Sequence, residues 1–311
     1  MIMKKTITIF WLLLGFSITA FAQQDPMYSQ YVFNGLVLNP AYAGSRDVLG
    51  ATLLYRNQWV SLPGAPKTGL FSIDAPYKNQ KVGLGLNVEF DNIGVTQHTA
   101  VSGAYSYKLK FEHSTLALGV QAGIGFSATN LTSVKYSENG QPDGSFLTNF
   151  HESLPNFGFG LYYYTDRFYA GFSIPQIAGQ TIQKAIYGNS ESAHLDLANH
   201  YFISSGYLFN LSPDLKLKPS VLLKYVNGAP MEFDLNGLVW FYDILALGAS
   251  YRSLASVDFL AQIKITNQLY VGYAYERAAN NMSSFVGGSH EIMLQYLFDF
   301  SKAKIVTPRF F

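Results

Sequence analysis

The sequence predicts an all-β protein: a transmembrane antiparallel β-barrel of about fourteen strands, preceded by an irregular N-terminal segment. Three observations support this fold class. Of the 311 residues, 16% are aromatic but only 13% are charged, whereas ordinary soluble domains carry roughly 25% charge. The mean hydropathy of +0.10 is too low for a bundle of membrane helices. Apolar side chains alternate with small or polar ones along nearly the whole chain, as in strands that turn one face to lipid.

The composition also excludes several classes of protein. The formal net charge of +1 gives no electrostatic footprint for nucleic acid, so we expect no nucleic-acid partner. The absence of cysteine rules out a disulfide framework and any thiol-based nucleophile or metal site. With 22 Tyr and 24 Phe, the chain has far too much aromatic content for an intrinsically disordered protein.

Residues 1–22 have the three parts of a cleaved signal peptide. Lys4 and Lys5 give a basic start, an apolar run follows over 7–21, and Ala20-Phe21-Ala22 supplies the small-x-small cleavage pattern. The run is shorter than the ~20 residues that span a bilayer, which disfavours the alternative of an uncleaved anchor. We therefore expect export to the outer membrane of a Gram-negative bacterium, with Gln23 as the mature terminus.

The segment 23–46 shows no regular alternation. It is rich in residues that form turns and disfavour a long strand or helix, namely Asp25, Pro26, Asn34, Gly35, Asn39, Pro40 and Gly44. Its tyrosine and aliphatic side chains nevertheless need burial. Since a barrel of this size has a lumen to fill, we predict that the segment packs into the lumen, or against its periplasmic mouth, as a plug. The alternative is a disordered periplasmic lead-in.

The barrel itself is assigned to residues 47–311. The alternation is clearest at 82–91, 101–110, 116–127, 232–241, 256–265 and 291–299, and weaker at 48–58, 67–75, 157–164, 168–174, 200–209, 215–226, 244–252 and 268–276. A soluble β-sandwich would also alternate, but it would turn a charged face outward. Here the second face is mostly Gly, Ser, Ala and Asn, and tyrosines cluster near strand ends, as at 162–164, which is typical of aromatic girdles.

Every second connection between these strands is short, as periplasmic turns of barrels are. The predicted turns lie at 76–80, 111–114, 165–167, 210–214, 242–243 and 266–267. The opposite connections include the long stretches 129–155, 175–199 and 277–288, which would face outside. The loops 129–155 and 175–199 are either surfaces that dock a client protein or solvated loops without a specific role.

Charged residues of both signs fall on the strand face opposite the apolar one: Glu89, Asp91, Lys108, Lys110, Lys216, Lys218, Lys224, Glu232, Asp234, Asp258, Lys264, Glu276 and Glu291. A selective pore more often carries one dominant sign. The mixture predicts internal ion pairs or a wetted interior.

Signatures of an enzyme are missing from the sequence. Gly83-x-Gly85 and Gly123-x-Gly125 lie within strands, so they are better explained as small lumen-facing positions than as phosphate loops. His290-Glu291 begins a strand and lacks the second histidine of a helical zinc motif. The histidines at 98, 113, 151, 194, 200 and 290 are scattered, which favours surface roles. We predict no catalytic residue, no metal site and no cofactor.

The N-terminal part of the chain carries the most specific motifs. They are QDPMYSQY at 24–31, FN at 33–34, NPAYAGS at 39–45, RNQW at 56–59 and GAPKT at 64–68. With SHEI at 289–292 and PRFF at 308–311, they closely resemble the PorP/SprF family of outer-membrane proteins associated with the type IX secretion system of Bacteroidota. The resemblance spans essentially the mature chain.

This resemblance implies a barrel that supports the secretion and surface anchoring of large adhesin-type cargo, with a role in gliding motility. Its expected partners are membrane lipid and either the C-terminal sorting domain of a secreted adhesin or type IX secretion components. An alternative stays open: an outer-membrane transport channel for a small or apolar solute. Asn39-Pro40-Ala41 also resembles a short signature in the N-terminal hatch of fatty-acid transporter barrels.

Overall fold

The computed structural model describes residues 27–133, 149–177, 181–186, 191–196, 199–226 and 229–298, with side chains omitted at 181–186, 191–196 and 281–282. The predicted signal peptide, positions 23–26 and most of the predicted loop 129–155 lie outside these residues. The signal peptide and its cleavage therefore stay predictions.

The described residues are almost entirely β-strand. The first seven strands are β1 Leu49–Asn57, β2 Lys67–Tyr77, β3 Val82–Ile93, β4 Thr96–Lys110, β5 Thr115–Thr129, β6 Phe150–Tyr164 and β7 Phe168–Ile174. They are followed by β8 Thr181–Ile186, β9 Glu191–Asp196, β10 His200–Tyr207, β11 Phe209–Ser212, β12 Leu215–Val226 and β13 Glu232–Phe241. The last four are β14 Leu245–Arg252, β15 Ser256–Lys264, β16 Leu269–Ala278 and β17 Ser289–Phe298.

These strands close into an antiparallel barrel. Strand β1 pairs with both β2 and the last strand, β17, while β10 pairs with β7 on one side and β12 on the other. Strands β10 and β11 are interrupted only at Leu208 and both pair with β12, so they form one strand of the wall. The wall thus contains 14 strands, and the predicted transmembrane barrel is confirmed.

Two wall strands are longer than the sequence predicts. Strands β4 and β6 begin at Thr96 and Phe150, five and seven residues earlier than the alternation indicates. Polar residues stand there on both faces, for example His98 and Glu152 on the inward face and Gln97 and His151 on the outward face, because strand ends that rise beyond the lipid need no apolar outer face. The predicted loop 175–199 also contains a separate hairpin, β8–β9.

Burial in this barrel is the reverse of that in a soluble protein. In β1 the inward side chains of Thr52 and Arg56 are buried, whereas the outward Leu53 and Tyr55 are 53% and 50% exposed. Alternate positions of the other wall strands repeat the pattern. Apolar side chains on the outside and polar ones on the inside are what a lipid environment requires. No helix among the described residues is long and apolar enough to cross a membrane.

The two ends of the barrel differ in their connections. One, the short-turn end, carries 78–81, 111–114, 165–167, 213–214, 242–244 and 265–268. The other, the long-loop end, carries 58–66, 94–95, 130–149, 175–199, 227–231, 253–255 and 279–288. The short connections coincide with the predicted turns. Their placement in the periplasm stays a prediction.

The outward face can be tested with one charge at mid-wall. Leu53→Arg places a guanidinium near the bilayer midplane and should lower the free energy of unfolding by about 2–4 kcal/mol in denaturant titrations in lipid vesicles. The control is Ile177→Arg, at a 44% exposed site in a connection, which should change it by less than about 0.5 kcal/mol. Equal effects at the two sites would contradict lipid contact at Leu53.

Candidate functional site: the lumen and its N-terminal segment

Residues 27–46, here called the N-terminal segment, contain no long helix or strand. They form three short 3-10 turns, Ser29–Phe33, Gly35–Val37 and Pro40–Tyr42, separated by Asn34 and by Leu38-Asn39. The Asn39 side chain accepts a hydrogen bond from the N–H of Ala41 (2.9 Å) and so caps the third turn. This irregular course agrees with the prediction from turn-forming residues. Tyr28, Leu36 and Ala41 are buried all the same.

The N-terminal segment is hydrogen-bonded to strands on different sides of the barrel. The contacts join Asn34 Nδ2 to Ser72 Oγ of β2 (3.0 Å), Tyr28 OH to Glu89 Oε2 of β3 (2.6 Å), Asn39 Nδ2 to Leu161 O of β6 (2.8 Å) and Asn236 Nδ2 of β13 to Tyr31 OH (2.8 Å). Only a position inside the barrel allows the segment to contact all four of these strands. The segment therefore packs among the inward-facing side chains. That it blocks passage as a plug stays a prediction.

The N-terminal segment runs from the long-loop end of the barrel toward the short-turn end. Ser29 and Gln30 contact Glu291, which lies near the long-loop end of β17. At its other end, Ala43 O accepts from Ser106 Oγ (2.7 Å) and Gly44 O accepts from Lys108 Nζ, both toward the short-turn end of β4. The chain thus descends from the long-loop end and joins β1 at the short-turn end.

Glycines on the wall allow backbone to lie directly on backbone. A Cβ atom added to Gly119 of β5 would overlap the backbone of Ala41, and one added to Gly83 of β3 would overlap that of Ala43. These contacts explain why small residues occupy inward positions there. Gly83 and Gly85 lie within β3 and face the lumen, as the sequence indicates.

The strongest electrostatic contacts join the segment to the closing strands of the barrel. Arg56 of β1 is ion-paired with Glu291 of β17 and, at 2.8 Å from its Nη2, with Glu276 of β16. Glu291 also accepts hydrogen bonds from the backbone N–H groups of Ser29 (2.8 Å) and Gln30 (3.1 Å). Because all three side chains are at most 8% exposed, these charges are compensated by one another and by the segment.

A second arginine extends this network along the wall. Arg252 of β14 lies 3.2 Å from Asp234 Oδ2, 3.7 Å from Glu276 Oε2 and 3.9 Å from Asp258 Oδ2. Glu276 is therefore shared between Arg56 and Arg252. The internal ion pairs predicted from mixed signs are present, and they gather Asp234, Asp258, Glu276 and Glu291 into one network.

The remaining predicted lumen charges are spread around the wall. Lys224 pairs with Glu232 (3.8 Å), Lys216 pairs with Asp243 (2.7 Å), and Asp91 accepts from Thr68 Oγ1 (2.6 Å), whereas Lys218 lies beside the rings of Tyr169 and Trp240. Lys110 is exposed and donates to Gln80 Oε1 (2.9 Å), and Lys264 lies at the short-turn end of β15. These charges lie at separate places around the wall.

Three arginines were missed by the sequence prediction, although two carried a signal. Arg56 lies within the RNQW motif, and both Arg56 and Arg252 have the inward parity of their strands. Arg46 lies outside the alternating region. Its Nη2 donates to Phe33 O (2.9 Å) and its Nη1 lies 3.8 Å from Asp74, which also accepts from Gly44 N. Arg46 thereby links the C-terminal end of the N-terminal segment to Asp74 of β2.

Tyr28 contributes a neutral donor to this arrangement. The buried phenol of Tyr28 donates a hydrogen bond to Glu89 Oε2 (2.6 Å). Among the described residues, no group of three or more His, Asp or Glu side chains is placed to hold a metal ion. His290 instead bonds with Tyr273 OH (2.7 Å).

The sequence matches a known protein family over most of its length. The family model of the type IX secretion system membrane protein PorP/SprF matches residues 20–296. The chain belongs to the PorP/SprF family. Solved structures similar to this PorP/SprF barrel are the Acinetobacter baumannii outer membrane protein Omp33, the KdgM porin and the NanC porin. Their identities are 10%, 11% and 10%, with TM-scores of 0.46, 0.41 and 0.42. The alignments cover 80%, 80% and 81% of this chain and 96%, 99% and 100% of theirs. A comparison with curated proteins finds no match.

The family assignment gives the N-terminal motifs a structural meaning. NPAYAGS at 39–45 forms the turn that rests on Gly119 and Gly83. RNQW at 56–59 begins with the arginine that pairs with Glu291 and ends in the first connection of the long-loop end. These two motifs of the PorP/SprF chain therefore belong to the packing of the lumen and to one exposed loop.

The Glu291 contacts predict a large loss of stability on neutralisation. Glu291→Gln keeps the shape of the side chain but replaces one acceptor oxygen with an NH2 group, which must then face the donors of Arg56 or of the Ser29 and Gln30 backbone, so the free energy of unfolding should fall by about 3 kcal/mol. Asp243→Asn, which breaks the more exposed pair with Lys216, should cost less than about 1 kcal/mol. Denaturant titration in lipid vesicles measures both, and equal losses would contradict the importance of the buried network.

The close approach at Gly119 predicts a conductance change. A valine at Gly119 cannot coexist with the 40–42 turn, so Gly119→Val should displace the N-terminal segment and raise the single-channel conductance in planar bilayers. Gly237→Val is the matched control, because a Cβ there has no neighbour within 4 Å. A folded Gly119→Val barrel that conducts no more than the unaltered protein would contradict blockage by the segment.

Proposed function

We propose that this protein supports the secretion and surface anchoring of large adhesin-type cargo by the type IX system, with a role in gliding motility in a member of the Bacteroidota. Family membership and the outer-membrane barrel support the general part of this proposal. The proposed partners are the C-terminal sorting domain of the cargo or other components of the secretion system. In this proposal the protein is not an enzyme and reaches the outer membrane after its signal peptide is removed.

The observation that carries the proposal is the position of the N-terminal segment inside the barrel. Leu36 and Ala41 are fully buried inside, and Gln30 is buried near the middle of β16 beside Gly272. In this barrel the inward side chains bind the N-terminal segment of the same chain. Such a barrel is poorly suited to let a solute diffuse through its lumen. It is better suited to present its ends to partners, which supports a role in assembly over the alternative of a transport channel.

The lipid-facing wall supports the same role. Its outward Leu, Val, Ile and aromatic side chains match a bilayer, so the barrel itself can serve as a membrane anchor for what binds at its ends. Anchoring of a large surface protein requires a stable barrel, and the buried charge network gives the closing strands β1, β16 and β17 additional contacts.

Deletion of the gene tests the proposal. We expect one or more large proteins to disappear from the cell-surface proteome, with restoration by a plasmid copy, because the cargo would lack its partner in the outer membrane. Quantitative proteomics of surface-shaved cells measures this. An unchanged surface proteome together with reduced uptake of a small solute would contradict the proposal and favour the transport channel.

A further inference from the structure

Among the described wall strands, only two charged residues lie on the outward face. Lys67 of β2 and Arg277 of β16 have the outward parity of their strands and are exposed, whereas every other Asp, Glu, Lys and Arg in these strands has the inward parity. Both are cations, and both lie at the long-loop end. Because a charge on a lipid-facing surface is costly unless it reaches the head groups, their position calls for a negatively charged partner at that end.

The barrel's own carboxylates do not supply that partner. No Asp or Glu in the part of the chain that the structure describes is ion-paired with Lys67 or Arg277. Two acidic residues lie beside them in the strands, but Asp91 faces inward and accepts from Thr68, and Glu276 faces inward to the two buried arginines. The negative charge must therefore come from another molecule.

The height of the two cations on the wall matches a membrane interface. Tyr55, Phe90 and Tyr273 have outward parity, lie in one register row across the strands and are 50%, 52% and 43% exposed. Aromatic residues in such a row mark the boundary between hydrocarbon and head groups. Lys67 lies two residues beyond this row, or about 7 Å, and Arg277 four residues beyond it. Both cations are therefore at the level of the lipid head groups.

Polar side chains occupy the outward positions between the two cations. Strands β1 and β17 separate β2 from β16, so Lys67 and Arg277 are about 14 Å apart across the strands. Asn57 of β1 pairs with Lys67 on one side and with His290 of β17 on the other, and His290 pairs with Tyr275 of β16. These four strands therefore present one outward surface with a cation at each side and hydrogen-bonding groups between them.

His290, at the middle of this surface, is held by two tyrosines. Its Nδ1 is hydrogen-bonded to Tyr273 OH (2.7 Å), and its ring centroid lies 5.3 Å from that of Tyr275. With the phenol as donor, the neutral imidazole carries its proton on Nε2, which is then a donor for an anion. A side chain fixed before binding loses less conformational entropy when a ligand arrives. His290 is thus an ordered donor between two longer cations.

We propose that Lys67 and Arg277, with His290 between them, bind the phosphate of a lipid in the leaflet at the long-loop end. Phosphate fits this surface because Lys and Arg bind anionic head groups through charge-assisted hydrogen bonds. A lipid fits better than a protein, because the surface belongs to the lipid-facing wall and lies directly beyond its aromatic row. In the predicted orientation this leaflet is the outer one. The inference goes beyond the proposed function and does not depend on it.

The test measures the binding of lipid A, a phosphorylated glycolipid, to the full-length protein in a non-ionic detergent. Lipid A without its phosphate groups is the matched probe, since it keeps the sugars and acyl chains. The double variant combines Lys67→Gln with Arg277→Gln. The control combines Lys78→Gln with Lys81→Gln, which removes the same charge from exposed sites at the short-turn end. The mobility difference between unboiled and boiled samples in SDS gels verifies that each barrel is folded.

We expect the double variant to bind lipid A about tenfold more weakly than the unaltered protein, because each cation adds to the attraction for an anionic lipid. The control should bind lipid A like the unaltered protein. If the double variant keeps its affinity, or if the control loses as much, the inference is wrong. It is also wrong if the unaltered protein binds lipid A no more tightly than the probe without phosphate. Displacement of lipid A by an equimolar amount of inorganic phosphate would reveal a site for free phosphate and would contradict a lipid site.

Discussion

The structure depends on compensating buried charge inside a closed wall. A barrel that turns its apolar side chains to lipid must turn polar ones inward, and the N-terminal segment in the lumen removes those from water. Glu291 shows the solution: its carboxylate is shared by the Arg56 guanidinium and by the backbone N–H groups of Ser29 and Gln30. The N-terminal segment thus supplies donors that the wall strands, already paired with one another, cannot.

This constraint connects the family motifs with the architecture. The turn at Pro40–Tyr42 needs glycine beneath it at Gly119, and the arginine at the start of RNQW needs the carboxylate of the last strand. The same contacts bring the first and last strands together where the wall closes. In the proposed function, a wall whose lumen is occupied in this way offers its two ends to partners.

Much of the wall could be predicted from the sequence, because side chains of a lipid-facing strand must alternate. Strands β3, β5 and β13 lie within a few residues of the predicted ranges. The early starts of β4 and β6 could not be predicted, since strand ends outside the lipid carry no alternation. The hairpin β8–β9 was missed because TIQKAI and ESAHLD show no strict period of two.

The lumen was predictable in part. The parity of each strand identifies which charges face inward, but not which of them meet, because that depends on the closure of the wall. Arg56 and Glu291 are 235 positions apart in the chain and become neighbours only through the pairing of β1 with β17. The course of the N-terminal segment likewise follows from the glycines and donors of many strands, so its composition indicates burial without giving its path.

The central claim is that the N-terminal segment lies inside the wall, and thiol accessibility measures this directly. The chain has no cysteine, so Leu36→Cys and Leu62→Cys each introduce a single thiol, at a fully buried and a 39% exposed site. In the folded barrel in lipid vesicles, a water-soluble maleimide should label Leu62→Cys rapidly and Leu36→Cys only after denaturation. Equally rapid labelling of both thiols in the folded protein would contradict the account.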